Sequence, residues 1–192
     1  MAGGSFQNAL QIVSRSIVRN FVLGVLVTLV VLALAGYVGV REGALPAGAD
    51  NPPGKLETCA AKTSLKAAIG RETEGLQSPI PADDLNLTAG VKLYEVHCAV
   101  CHGASDAQAS AIAKGLNIRA PQLAKHGVTD DPAAETFWKV KHGIRFTGMP
   151  GFGASLSDTE LWQVSLFLSK MDALPPGAAS AWKAIPSVKS GG

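Results

Sequence analysis

The stretch Gly90–Gly103, GVKLYEVHCAVCHG, decides how this chain is read. Its end, Cys98-Ala99-Val100-Cys101-His102, has the spacing C-x-x-C-H. On a helix, cysteines three apart share a face, so both sulfurs reach the vinyl groups of one porphyrin and His102, next in line, is held under its iron. The same cysteines would suit a thioredoxin-like redox pair or half of a zinc site. A redox pair wants a neighbouring βαβ pattern and zinc wants two further ligands at metal spacing, and neither is in the sequence. The motif therefore reads as one covalently attached haem c.

Working outward, the helix that delivers the cysteines is expected to start near Asn86, with Asn86 or Thr88 as its cap. A mostly irregular stretch from Gly103 to Thr129 follows, broken by Gly115 and Pro121. Asp131-Pro132 reads as an N-cap and first-turn proline, opening a helix through Phe137, Trp138 and Val140 that Gly143 terminates. Ser157-Asp158-Thr159-Glu160 is a capping box, and the helix after it places Leu161, Val164, Phe167 and Leu168 on one flank before ending near Met171. No strand pattern and no repeat appear. The expectation is an all-α domain of three or four short helices and long loops. Such a chain buries little on its own, and a haem among the loops would supply the missing apolar core.

The second iron ligand is expected from GIRFTGMPGFG, a segment with too many glycines for a helix or a central strand. Of three methionines, Met1 precedes the long apolar run, Met171 ends the last helix, and Met149 alone lies in this loop. A thioether is soft and neutral, favours Fe(II), and together with His102 leaves no open coordination site. His142 is the competing ligand, although its place suits the end of the preceding helix; His97 and His126 read as solvated. Arg145 is a candidate partner for a haem propionate, or a plain solvated charge.

Together, Gly90 and Tyr94, then CAVCHG, GMPGFG and DTELWQVSLFL make the segment from Asn86 to Pro175 resemble the class I c-type cytochromes, the group that includes mitochondrial cytochrome c. The resemblance implies that Gly90 lets the first and last helices cross closely, with Tyr94 and Phe167 locking the crossing and Trp162 nearby. It also implies Met149 as the axial ligand in the loop before the last helix. Pro121, in APQL, matches the proline whose carbonyl orients the proximal histidine; the plainer alternative is a turn proline. The fold class expected is a class I cytochrome c fold with one N-terminal transmembrane helix.

That helix is read from Asn20 to Val40, uncharged throughout, which at about 1.5 Å per residue spans roughly 30 Å of hydrocarbon. Arg15 and Arg19 precede it, whereas Arg41 is followed by Glu42, so the N-terminus is expected in the cytoplasm and the rest outside. A cleaved signal peptide is the rival reading, because Ala33-Leu34-Ala35 has a cleavage-site pattern. Phe6, Leu10, Val13 and Ile17 recur at helical spacing, as a surface helix or as an extension of the crossing one. The organisation read is a cytoplasmic segment 1–19, an anchor 20–40, an exported linker and extension 41–85, a cytochrome domain 86–175 and a tail 176–192. Within 41–85, GALPAGADNPPGK is a tether and Leu56–Ile69 a possible short helix.

Of 17 Lys and Arg residues, all but Arg15 and Arg19 follow the apolar run, where they balance the 15 acids, so no basic field suggests nucleic acid. The function expected is single-electron transfer, without catalysis, at the periplasmic face of a cell inner membrane. The partners expected are membrane lipid and electron donor and acceptor proteins, either as a tethered shuttle or as a subunit of a respiratory, photosynthetic or dehydrogenase complex. The alternative is a haem enzyme or ligand sensor with a displaceable sixth ligand. Lys92, Lys139, Lys141 and Arg145 would either ring the haem edge towards an acidic partner or form a solvated face. Cys59 is the odd cysteine, expected as a buried thiol, with an intermolecular disulfide as the alternative.

Overall fold

A computed structural model describes residues 3–125 and 127–187, with side chains from residue 15 onward. His126, read above as solvated, lies outside the described residues, as do the side chains of Phe6, Leu10 and Val13. The described residues form helices and connecting loops without a strand. They are α1 (Gly3–Arg41), α2 (Lys55–Thr73), α3 (Asp84–His97), α4 (Ala99–His102), α5 (Ala111–Gly115), α6 (Ala133–His142), α7 (Asp158–Ser169), a 3₁₀ turn (Met171–Ala173) and α8 (Pro176–Ala184). The chain divides into two compact units, Met1–Gly48 and Ala49–Gly192.

The first unit is α1. Its part Arg15–Arg41 is long and apolar enough to cross a membrane. The backbone runs unbroken from Gly3, as in the extension reading of the N-terminal residues. The helix stops at Arg41, after which Gly43 takes a left-handed φ of 73° and Ala44 donates to the Gly39 carbonyl at 2.9 Å.

In the second unit α3 and α7 cross face to face at Gly90. A Cβ there would collide with the Gln163 carbonyl and come within 2.9 Å of Phe167 Cβ, so only glycine permits the approach. Around this point Tyr94 meets Phe167 edge-on at 5.5 Å, and both are fully buried. The third ring is Trp182 of α8, 5.4 Å from Tyr94 and 5.3 Å from Phe167. Trp162 instead stacks on Phe137 at 4.3 Å and 16°, joining α7 to α6.

Several local expectations change. The cap of α3 is Asp83, whose carboxylate accepts from Asn86 N at 2.9 Å, so the helix begins earlier than Asn86 or Thr88 would place it. The periodic pattern hid this because Leu85, in the first turn, is exposed. Asp84 caps another helix, accepting from Gly177 N (3.1 Å) and Ala178 N (2.7 Å) at the start of α8. Residues 176–192, read as a tail, contribute that helix and the buried Ala178, Trp182 and Ile185. Pro132, not Asp131, precedes α6, and Asp131 instead holds Lys139 Nζ at 2.6 Å. The capping box Ser157/Glu160 forms as expected, with Ser157 Oγ and N donating to Glu160 at 2.7 and 2.8 Å. α7 ends at Ser169 and gives way to the 3₁₀ turn.

The helix expected over Leu56–Ile69 is longer, Lys55–Thr73, and packs on α6 through Ile69, 4% exposed. Cys59 is exposed, which corrects the expected buried thiol. It stands six residues before Leu65, about 120° round the helix from that half-buried side chain.

Candidate cofactor site

The turn that carries the motif is built as a continuation of α3. Cys98 N donates to Tyr94 O at 2.8 Å, and Cys101 N and His102 N both return to Cys98 O, at 3.0 and 2.9 Å. This places Cys98, Cys101 and His102 on one wall of a cavity of about 360 Å³, a size ordinary for cofactor clefts. Both cysteines are half-buried and unpaired. Burial, and secondarily the neighbouring Cys101, pushes the Cys98 thiol up to about 12. A redox-active or zinc-binding cysteine needs the opposite shift, towards thiolate. Among the described residues no group of three or more His, Cys, Asp or Glu is arranged to hold a metal ion.

His102 Nδ1 lies 2.9 Å from the carbonyl oxygen of Pro121. A carbonyl only accepts, so Nδ1 carries the proton and Nε2 keeps its lone pair. Burial lowers the pKa of the ring, with the bond to Pro121 acting in the other direction, so the imidazole is held neutral, the form that ligates a metal. Leu123 N donates to the His102 carbonyl at 3.1 Å, fixing the loop that carries Pro121.

Met149 lines the same cavity from the loop after α6. That loop is fastened at each end of its turn. Thr147 Oγ1 accepts from Met149 N at 3.1 Å and donates to Ile144 O at 2.7 Å, while Phe152 N and Gly153 N return to Val140 and Lys141 carbonyls at 2.9 and 3.0 Å. Gly143, at φ 70°, makes the reversal possible: a Cβ there would press on the Pro150–Gly151 peptide at 2.5–2.6 Å. The glycine-rich composition is thus the requirement of a loop folded onto itself and onto the end of α6.

The cavity brings together five of the six residues singled out in sequence: Cys98, Cys101, His102, Met149 and Pro121. Arg145 is not among its lining residues; its guanidinium lies 4.8 Å from the ring of Phe146, which is 82% exposed. His142 also stands apart, exposed and against Trp138 at 5.0 Å. His97, expected in solvent, is half-buried at the cavity with its ring 5.7 Å from Phe152. Lys139 and Lys141 are engaged with Asp131 and Asp158, so a ring of uncommitted lysines is not what these side chains form.

Thr136, on α6, was not legible as a site residue. It is 3% exposed and lines the cavity, and its hydroxyl has no partner within the protein. An orphaned buried hydroxyl in a largely apolar cleft that Arg119 and Lys139 also line, with two thiols, a neutral imidazole and a thioether, suits a large apolar ligand that carries a metal and a few polar groups. The donor set fits a haem: Cys98 and Cys101 for attachment, His102 and Met149 for the iron.

The family model described as cytochrome c oxidase, cbb3-type, subunit III, matches residues 85–168, from the second residue of α3 almost to the end of α7. No curated protein and no solved structure matches the chain significantly.

Proposed function

We propose that this chain, whose residues 85–168 match a c-type cytochrome family, holds one haem, joined to Cys98 and Cys101 and ligated by His102 and Met149, and passes single electrons at a membrane. The observation that carries this is the convergence of those four side chains on one cavity, with the His102 tautomer fixed by Pro121. When bound, haem supplies reversible one-electron Fe(III)/Fe(II) chemistry. The chain's own residues do the rest. Pro121 orients the His102 ring and leaves the Nε2 lone pair free; Met149 would supply a second, neutral ligand; Tyr94, Val140 and Leu168 line the cleft and exclude water. A closed sixth position suits electron transfer and opposes oxygen chemistry.

On this reading α1 anchors the domain from a cytoplasmic N-terminus, with residues 20–40 crossing the inner membrane and the haem domain in the periplasm. The partners are an electron donor and an acceptor, either met by a tethered shuttle or built around this chain as a subunit of a respiratory oxidase or related complex. The domain's match to an oxidase subunit family supports the subunit version.

The test is expression of the full chain with c-type maturation machinery. Haem should stay with the polypeptide through denaturing electrophoresis, and the ferric protein should show the weak absorbance near the red edge that marks sulfur-to-iron bonding. Met149→Leu should lose that band while keeping the haem. Its persistence in the variant, or rapid and complete carbon monoxide binding by the reduced wild type, would reject the closed Met-ligated site.

A further inference from the structure

Residues 49–73 precede the segment that matches the family, yet the structure fastens them to the walls of the cavity at both ends. At the first end the Asn117 side-chain amide donates to the carbonyls of Ala49 at 3.1 Å and Asn51 at 2.7 Å. Asn117 stands between Leu116 and Ile118, which both line the cavity. At the other end the indole N–H of Trp138, on α6, donates to Glu72 at 2.8 Å, and Ile69 is buried. Between these ties Leu65 of α2 lines the cavity together with Cys98, Cys101, His102 and Met149.

The composition of α2 makes this placement informative. The helix has no apolar stripe: it buries Ile69, half-buries Leu65, and leaves Leu56 84% exposed. Packing of its own face therefore contributes little to holding it in place. Its position is set by the contact with α6 near Ile69 and by the two polar ties that bracket residues 49–73, and what that position delivers is one leucine to the cavity.

Resting on the haem reading above, we propose that residues 49–73 are a strap over one part of the haem's perimeter, with Leu65 as its haem-facing side chain and Asn117 and Glu72 as positioning residues. The strap sets the reduction potential by keeping water from that part of the cofactor. Ferric haem carries one more positive charge than ferrous haem, and water stabilises the more highly charged form, so excluding water favours reduction. The tether that leads away from α1 thus ends in a segment that tunes the redox centre.

The experiment uses the full haem-loaded chain in detergent. Leu65→Ser should shift the potential downward, Leu65→Met should hold it close to wild type, and Leu56→Ser, on the exposed side of α2, should leave it unchanged. The double variant Asn117→Ala with Glu72→Ala keeps Leu65 but removes both ties; it should show the downward shift together with faster hydrogen exchange of the α2 amides. Haem staining after denaturing electrophoresis keeps the two readings apart. If wild type carries no covalent haem, the haem reading fails. If haem is attached and the melting temperature is retained, but neither Leu65→Ser nor the double variant moves the potential, the strap is overturned. An equal shift in Leu56→Ser overturns it too.

Discussion

The phenol of Tyr94 donates to the carbonyl of Gly103 at 2.8 Å, bridging from the middle of α3 to the residue directly after His102. Burial raises the pKa of the phenol, which therefore stays a donor at all ordinary pH. The C-x-x-C-H turn is closed at both ends, by Tyr94 O accepting from Cys98 N and Tyr94 Oη donating to Gly103. Tyr94→Phe keeps the ring packing but leaves a buried carbonyl unpaired, at a cost of about 1–3 kcal/mol. Denaturant unfolding of the variant should give a lower midpoint with an unchanged slope, and an unaltered midpoint would show that the bond does not matter.

Two glycines on helices should respond to alanine in opposite directions. Gly90→Ala must push α3 away from the α7 backbone, and a loss of about 3 kcal/mol, the upper end of overpacking, is expected. Gly70, in α2, has nothing within 4 Å of a built Cβ, so Gly70→Ala should gain about 0.5–1 kcal/mol. Melting temperatures of the two variants measured side by side check the contrast.

Trp182 fills the third place in the cluster with Tyr94 and Phe167. Trp182→Ala should cost about 3–5 kcal/mol, and ending the chain at Pro175 should cost at least as much because Ala178 and Ile185 go too. A chain truncated there that melts like the full one would show α8 to be an appendage.

Stability should fall in acid partly through Glu160. Hydrogen bonds from the Ser157 side chain and then its backbone hold the Glu160 carboxylate below its usual 4.5. Since the folded pKa is the lower one, the unfolded chain binds the proton more readily; the contribution is complete above about 4.5 and is lost as pH falls through the folded value. Wild type should therefore melt above Glu160→Gln at pH 7, with the gap closing below pH 4.5. A gap that does not vary with pH would assign the effect to geometry instead.

Which side chains converge on the cavity was largely legible because those residues are rare and local. Cys98, Cys101 and His102 sit within one turn, Met149 is the one methionine in a glycine-rich loop, and the Ser157/Glu160 box spans four positions. What sequence missed depends on contacts between distant positions. Trp182 looks like a tail residue until it meets Tyr94, and Leu65 has no stripe around it to announce a buried face. Arg145, a candidate propionate partner or solvated charge by sequence, does not line the cavity; the turn at Phe146, with φ 61°, separates it from Met149, which does. Thr136 carries no signal at all, since an unpartnered hydroxyl is a property of surroundings and not of residue type.

The two bonds from Asp84 to the start of α8 join positions 93 and 94 residues apart. A ribosome makes Asp84 first and must add all the residues between before its carboxylate can meet Gly177 and Ala178. Until then Tyr94 and Phe167 lack their third ring. Helix α8 is thus a latch: the nascent domain stays unlatched while its cysteines are already made, and it closes only once the segment around Gly177 has been synthesised.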